Sequence, residues 1–187
     1  MSKVKAAVFA SGTGSNFQAI IEDKTLPCEV VLLVCDRPSA PVIAKAQRQG
    51  IKTFVFSAKD YESKEAYEQE IVDVLKRNEI EWVFLAGYMR LLGQTMLDAY
   101  EGKILNIHPS LLPAFPGKDS IARAFEAGVA ETGVTVHYVD GGMDTGPVIA
   151  QEVVEVLPGD PLESLEARIH EVEHRLYPKV IKELLQK

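Results

Sequence analysis

Short apolar runs alternate with amphipathic segments through the first half of the chain. Runs that are apolar on both faces, such as Val30–Val34, are typical of strands covered on both sides. The predicted strands are Val4–Ala10, Glu29–Cys35, Thr53–Phe56, Trp82–Ala86 and Lys103–His108. The segments between them predict helices at Asn16–Glu22, Pro41–Gln49, Ser63–Asn78 and Gly93–Tyr100. This alternation indicates a parallel sheet with right-handed crossovers.

The pattern changes after residue 130, where two strand-like segments flank a glycine-rich stretch. Val134–Val139 and Val148–Val156 are joined by residues 140–147, which are too few for a crossover helix. We therefore expect these two strands to pair antiparallel. The whole pattern predicts an α/β fold, a Rossmann-like three-layer sandwich with a mixed, mostly parallel sheet and an antiparallel C-terminal hairpin.

A final helix is predicted from the segment Asp160–Glu163 onward. Asp160 is expected to cap it, Pro161 suits the first helical position, and Glu163 completes a capping-box pattern. Pro178 is expected to bend or interrupt this helix. Its apolar face is formed by Leu162, Leu165, Ile169, Val172 and Leu176.

Composition excludes several classes of protein. The 187 residues carry 20 basic and 27 acidic side chains, a formal net charge of -7, which argues against a nucleic-acid partner. The longest apolar run, Val30–Cys35, is too short to cross a bilayer, so no membrane association is expected. The N-terminal apolar stretch Ala6–Ala10 is too short for a signal peptide, which predicts a cytoplasmic protein. Cys28 and Cys35 are interpreted as buried, reduced thiols, and no metal site is predicted.

The segment Ser11–Asn16 follows the first predicted strand and leads directly into a helix. Glycines at this point let a backbone approach a ligand, and a helix N-terminus favours an anion, so the segment predicts a site for one phosphate group. Asp36 follows at the distance found in dinucleotide-binding motifs. However, Phe17 stands where that motif has its third glycine, and no lysine follows, as a Walker A loop requires. A glycine-rich turn without a ligand is the alternative.

Asn106 and His108 lie at the end of an apolar predicted strand, and strand alternation places both on the same side. An amide beside an imidazole can stabilise an oxyanion and exchange a proton. Asp144, in the glycine-rich stretch, can orient the ring and favour its charged form, and Asp140 is its rival for that role. The alternative is that all of these are satisfied structural residues. His137, His170 and His174 are interpreted as structural or surface residues.

With these motifs in place, the chain resembles the folate-dependent phosphoribosylglycinamide formyltransferase family. The resemblance runs from end to end and is strongest in the string Asn106–Pro113 combined with Gly12–Asn16. It also covers Ala86–Leu92, Asp144–Pro147 and Glu173–Pro178. It implies one formyltransferase domain, 1–187, with a phosphate-binding half at 1–100 and a catalytic and folate-binding half at 101–187.

Site residues follow from the resemblance, position by position. It implies a catalytic triad of Asn106, His108 and Asp144. It implies ribonucleotide binding by Thr13, Gly14, Ser15, Asn16 and Glu173. It implies folate binding by Lys64, Met89, Arg90, Leu91, Leu92, Asn106, Asp140, Gly141 and Asp144. Two positions depart from relatives: Lys118–Ile121 replaces a histidine-containing segment and receives no catalytic role, and His170 replaces a glutamine, which leaves a phosphate contact there open.

The implied reaction moves a formyl group from 10-formyltetrahydrofolate to the amine of N1-(5-phosphoribosyl)glycinamide in purine synthesis. The folate is a co-substrate, no metal is required, and the protein is expected to act as a monomer or homodimer. Three alternatives stay open: a methionyl-tRNA formyltransferase, a formyltetrahydrofolate hydrolase, and a non-catalytic nucleotide-binding module. The acidic chain and the absence of an added C-terminal domain disfavour the first, and the early start of the first strand disfavours the second.

Overall fold

A seven-stranded sheet with the strand order β3-β2-β1-β4-β5-β6-β7 forms the centre of the computed structural model, which describes residues 3–186. The strands are β1 (Val4–Ala10), β2 (Cys28–Cys35), β3 (Lys52–Val55), β4 (Trp82–Leu85), β5 (Ile104–His108), β6 (Glu131–Tyr138) and β7 (Val148–Glu155). The helices are α1 (Ser15–Glu22), α2 (Pro41–Arg48), α3 (Lys64–Arg77), α4 (Gln94–Ala99), α5 (Ser120–Glu126) and α6 (Leu162–Leu185). The ends of the predicted domain, Met1, Ser2 and Lys187, lie outside the described residues.

The sheet is mixed, as the sequence predicts. β1 pairs in parallel with β2 and β4, and β4 pairs in parallel with β5. β6 then pairs antiparallel with both β5 and β7. Each sheet face is covered by a separate apolar core, one containing Phe17 and Tyr177 and the other containing Phe9 and Leu75. The α/β three-layer architecture is therefore confirmed.

Local corrections concern the C-terminal helix. Pro161, not Asp160, is the N-cap of α6, and no side chain caps the helix. The Asp160 carboxylate instead accepts a hydrogen bond from Arg168 at 2.5 Å, an ion pair that competes for the capping group. Pro178 does not interrupt the helix, which continues to Leu185. The side chain of Pro178 is buried, so packing against the sheet offsets the missing N–H.

Two elements were not predicted from the sequence, α5 and a 3₁₀ turn at Ala58–Asp60. α5 is a short helix that follows a proline-rich stretch, and its N-cap residue Asp119 has a positive φ of 55°. A helix of so few residues carries little periodicity, which is why the apolar pattern did not reveal it.

The strand order places the candidate residues together. Along the chain, β2 and β3 lie on one side of β1, whereas β4 and β5 lie on the other. This reversal of direction opens a crevice at the carboxyl ends of β1 and β4, where ligands bind in sheets of this type. β6 runs antiparallel to β5, with Thr135 opposite His108 and Tyr138 opposite Leu105, and the loop after Tyr138 folds back so that Asp144 reaches Asn106 and His108.

Candidate active site

A cleft of about 770 Å³ opens at this end of the sheet. It is lined by the predicted phosphate loop, the segment after β4, the end of β5 and the loop after β6. All but two of the predicted site residues line it: Lys64 and Gly141 do not. The cleft also takes in residues to which the sequence assigned no role in the site: Arg37, Lys118–Ile121, His137, Glu166 and His170. One cavity therefore joins the candidate phosphate site to the candidate catalytic residues.

The phosphate loop depends on a glycine at position 14. Gly14, the N-cap of α1, has a left-handed φ of 78°. A Cβ atom there would lie 2.3 Å from Val42 Cγ2, so the side-chain-free residue lets α1 and α2 pack closely. In the following turn, Asn16 is buried, and its Oδ1 finds no hydrogen-bond partner among residues 3–186. A buried polar atom without a partner is costly, which points to a ligand that supplies one.

Asp36 does not serve as the ribose-binding acid of a dinucleotide site. Its carboxylate is buried and both oxygens are engaged, Oδ1 by the Ser11 hydroxyl at 2.5 Å and Oδ2 by Arg90 Nε at 2.9 Å. Asp36 is not among the residues that line the cleft. This removes the second half of the dinucleotide motif, whose third glycine is already replaced by Phe17.

Asn106, His108 and Asp144 meet at the floor of the cleft. Asp144 Oδ2 lies 3.5 Å from His108 Nδ1, and Asp144 Oδ1 lies 3.5 Å from Asn106 Nδ2. Asp144 has a φ of 57°, and its Oδ2 also accepts a 2.8 Å hydrogen bond from the backbone N–H of Gly117. The strand fixes the amide and the imidazole, and the loop supplies the carboxylate between them.

Both ring nitrogens of His108 face oxygen acceptors. Nδ1 faces Asp144, and Nε2 lies 2.8 Å from the carbonyl oxygen of Phe115. The doubly protonated ring satisfies both acceptors, because it alone donates from each nitrogen. The site therefore places the imidazole between a carboxylate and a carbonyl oxygen. A substrate oxygen that uses Nε2 has to displace the Phe115 carbonyl.

His137 is a site residue that sequence reasoning missed. It pairs directly opposite Asn106 in the β5–β6 register. Its Nδ1 donates to the carbonyl of Tyr138, and its Nε2 lies 3.3 Å from Asn106 Nδ2 and 3.7 Å from Asp144 Oδ1. The sequence predicts pairing of β6 only with β7, and the contact of His137 with Asn106 follows from the additional antiparallel pairing of β6 with β5.

Asp144 is ionised in this setting. Burial works to raise its pKa, but the nearby His137 imidazole, the hydrogen bond from Gly117 and the proximity of His108 outweigh it, so the pKa is lowered. The rival acid, Asp140, is exposed and bonds only within its own loop, to Gly142 and Thr145. The structure therefore brings Asp144, and not Asp140, into contact with Asn106 and His108.

Glu173 and His170 border the cleft from α6. Glu173 is buried, and its carboxylate accepts a 2.7 Å hydrogen bond from His170 Nδ1. That hydrogen bond, opposed in part by burial, raises the pKa of His170. A half-exposed imidazole with a raised pKa thus lines the same cleft as the phosphate loop.

Residues 3–186 contain no group of three or more His, Cys, Asp or Glu side chains placed to hold a metal ion. None of their helices is long and apolar enough to cross a membrane.

A family model and a curated relative both match this chain, and both are formyltransferases. The family model described as formyl transferase matches residues 4–181. A phosphoribosylglycinamide formyltransferase of Bacillus subtilis is 56% identical over 184 residues, which cover 97% of this chain and 94% of that protein.

Solved structures agree with the sequence match. A glycinamide ribonucleotide transformylase 1 of Geobacillus kaustophilus is 64% identical, with a TM-score of 0.95, over 98% of this chain and 99% of that one. A phosphoribosylglycinamide formyltransferase of Bacillus halodurans is 54% identical, with a TM-score of 0.96, over 98% of this chain and 96% of that one. The chain therefore belongs to the formyl transferase family.

Proposed function

We propose that the cleft transfers the formyl group of 10-formyltetrahydrofolate to the amino group of N1-(5-phosphoribosyl)glycinamide, a step of de novo purine biosynthesis. One observation carries this proposal: a single cleft joins an anion-binding loop to an amide, an imidazole and a carboxylate in mutual contact. The relatives named above, which match almost the whole chain, support both the reaction class and the substrate.

The ribonucleotide is proposed to bind along Thr13–Asn16, with Glu173 at its other end. The first turn of α1 offers backbone N–H groups and a partial positive charge to the phosphate. The unpartnered Oδ1 of Asn16 is available to a donor of the substrate. Glu173 retains acceptor capacity beyond its bond to His170, which suits an amine or hydroxyl donor.

The folate is proposed to lie against Met89–Leu92 and the loop that contains Asp140, Gly141 and Asp144. Met89 and Leu91 expose 55% and 47% of their surface in this segment, an apolar wall suited to a flat heterocycle. Within residues 3–186, the backbone N–H groups of Arg90, Leu91 and Leu92 make no hydrogen bond, so they are free for a ligand. Lys64 lies next to this wall, near Gly93, and is proposed to meet the acidic tail of the folate.

In the proposed chemistry, the amine attacks the formyl carbon directly. A C–N bond forms, the carbonyl electrons move to oxygen, and a tetrahedral oxyanion results. The Asn106 amide and the His108 imidazolium stabilise this charge, and Asp144 keeps the ring charged and oriented. The amine proton passes to the folate nitrogen through His108 or a water bound to Asp144, and the bond to that nitrogen then breaks. No step requires a metal.

The alternatives are weaker on specific grounds. Binding of a tRNA is disfavoured because the protein is acidic, with a net charge of -7, and repels the phosphate backbone. A nucleotide-binding module would leave the triad without a task, and Asp36 offers no oxygen to a ribose. A formyltetrahydrofolate hydrolase shares the triad, so it is separated by assay.

The test is a coupled assay with purified protein. With both substrates, we expect formylated ribonucleotide and tetrahydrofolate in equal amounts. Release of formate without ribonucleotide would indicate the hydrolase, and formyl-methionyl-tRNA formation would indicate the tRNA enzyme. We further propose that 1–187 acts as one domain, in the cytoplasm, as a monomer or homodimer.

A further inference from the structure

Two buried carboxylates, Asp36 and Glu68, have no part in the chemistry described above. Both are almost fully enclosed, with 5% and 2% of their surface exposed. Burying a carboxylate costs free energy unless several donors satisfy it, so each calls for an explanation. Asp36 accepts from Arg90 and from Ser11, which in turn bonds to Met89, and Glu68 accepts from Gly93. Met89, Arg90 and Gly93 belong to one segment of the chain.

That segment is residues 87–93, which joins β4 to α4 and contains no helix or strand. It carries the exposed side chains of Met89 and Leu91 into the cleft. An irregular segment has few backbone hydrogen bonds of its own to hold it. Leu92 is buried and Tyr88 packs against the core, and side-chain acceptors hold the backbone N–H groups of Met89 and Gly93.

Asp36 fixes the first end. Its Oδ2 accepts a 2.9 Å hydrogen bond from Arg90 Nε, and its Oδ1 accepts a 2.5 Å hydrogen bond from the Ser11 hydroxyl. The Ser11 oxygen in turn accepts a 2.9 Å hydrogen bond from the backbone N–H of Met89, and the Ser11 N–H donates to the Gly87 carbonyl at 3.1 Å. Asp36 thus holds Arg90 directly and Met89 through the Ser11 hydroxyl.

Glu68 fixes the second end. It lies on α3, and its Oε2 accepts a 2.8 Å hydrogen bond from the backbone N–H of Gly93. Its Oε1 lies 3.4 Å from the backbone N of Met96, in the first turn of α4. A Cβ atom at Gly93 would lie 2.8 Å from Glu68 Oε1, so the glycine admits the carboxylate at close range.

We propose that Asp36 and Glu68 are positioning residues that set the shape of the folate wall from its two ends. This inference rests on the proposed function, since it assigns the wall to the folate. Asp36, through Ser11, holds Met89, and Glu68 holds Gly93. Between these two residues, the backbone N–H groups of Arg90, Leu91 and Leu92 make no hydrogen bond within residues 3–186. A ligand that bonds to those groups then meets them already arranged and loses less entropy on binding.

The test separates the two substrates. Asp36→Asn retains an acceptor for Ser11 but cannot accept from Arg90 with its amide nitrogen, and Glu68→Gln likewise loses one acceptor. We expect each variant to raise the KM for 10-formyltetrahydrofolate and the Kd for tetrahydrofolate by on the order of tenfold, as the loss of a charge-assisted hydrogen bond does. The KM for the ribonucleotide and kcat should stay within about twofold, since the triad is untouched.

Matched controls lose the same charge without touching the wall. Glu65→Gln lies on α3 with Glu68 but is exposed, and Asp73→Asn is exposed on the same helix. Both should bind folate as the unchanged protein does. Hydrogen exchange should show faster exchange at Met89 in Asp36→Asn and at Gly93 in Glu68→Gln, with protection of β1 unchanged.

The outcomes distinguish two failures. If the unchanged protein forms no formylated ribonucleotide, the proposed function is wrong. If it is active but both variants bind folate normally, or weaken both substrates equally, the positioning role is wrong. Where Glu68→Gln does not fold, Glu68→Asp is measured instead. Its shorter carboxylate holds Gly93 less well, so the KM for folate should exceed that of the unchanged protein.

Discussion

Asp144 Oδ2 lies 3.5 Å from His108 Nδ1, although the two residues come from different elements of the fold. His108 is the last residue of β5, and Asp144 lies in the loop that returns from β6. β6 pairs antiparallel with β5 and ends opposite Leu105, and the loop that follows folds back so that Asp144 reaches His108. Both side chains are largely buried, which strengthens any electrostatic interaction between them.

Replacing Asp144 with asparagine tests this pair. The variant keeps the shape of the side chain but removes the charge that holds the imidazolium. We expect kcat to fall by on the order of 100-fold or more, comparable to losing an oxyanion donor. Both KM values should change much less, because the interaction matters mainly in the transition state. Steady-state kinetics with each substrate varied in turn is the measurement.

Asp140→Asn is the matched control for that variant. Asp140 bonds only to Gly142 and Thr145 in its own loop and does not contact His108. We expect its kcat to remain within about tenfold of the unchanged protein, the effect of losing about one loop hydrogen bond. Equal damage from the two substitutions would show that the assignment of the carboxylate is wrong.

Gly14→Ala tests why the phosphate loop needs its glycine. The new Cβ would meet Val42 Cγ2 at 2.3 Å, and the residue would keep an unfavourable φ of 78°. Together, overpacking and a left-handed residue should lower the free energy of unfolding by about 2–4 kcal/mol. Gly12→Ala is the control, because its Cβ would meet nothing within 4 Å. Denaturant unfolding that gave the two variants equal stability would contradict this explanation.

Much of the fold was readable from the sequence because burial on both faces leaves a clear apolar signature. Runs such as Val30–Cys35 revealed the parallel strands, and the short connection 140–147 revealed the hairpin. Helix ends were less predictable, since capping competes with ion pairs, as Asp160 shows by bonding to Arg168. α5 remained hidden because a short helix carries little periodic pattern.

The sequence reveals those residues of the candidate site that lie in short, distinctive motifs. Asn106 and His108 stand out as polar residues at an apolar strand end, and their spacing already places them on one side. His137 was missed because its role depends on the register of β6 against β5, which composition does not reveal. Asp36 and Glu68 were not assigned to the site because their partners, Ser11, Arg90 and Gly93, are distant in sequence.

Binding of a folate analogue should slow hydrogen exchange in specific segments of the chain. The backbone groups of Arg90–Leu92 are free in the structure, and the loop 140–146 borders the same cleft. We expect hydrogen exchange at both segments to slow when the analogue binds, since it orders exposed backbone. Ribonucleotide alone should instead protect Thr13–Asn16. Protection confined to Thr13–Asn16 with the analogue would contradict the assignment of the folate wall.

His170→Asn should change stability in a pH-dependent way. The hydrogen bond to Glu173, opposed by burial, raises the pKa of His170 in the folded protein. A raised pKa contributes stability that is fully present below the unfolded value of about 6.5 and is lost as the pH rises through the folded value. The unchanged protein should therefore exceed the variant in stability at pH 5.5 by more than at pH 9. Denaturant unfolding at both pH values is the measurement, and a pH-independent difference would contradict the ion pair.

The last prediction concerns His137 and the ionisation of Asp144. Burial alone raises the pKa of that carboxyl, and His137, whose Nε2 lies 3.7 Å from Asp144 Oδ1, contributes most to lowering it. In His137→Asn, the pKa of Asp144 should therefore rise, and kcat should fall on the acidic side of its pH profile, where less carboxylate then faces His108. Carbon-13 titration of Asp144 and the pH profile of kcat should move together toward higher pH. His174→Asn, on α6 outside the triad, should move neither. A fall in kcat without a shift of the Asp144 titration would mean that His137 acts on the substrate directly.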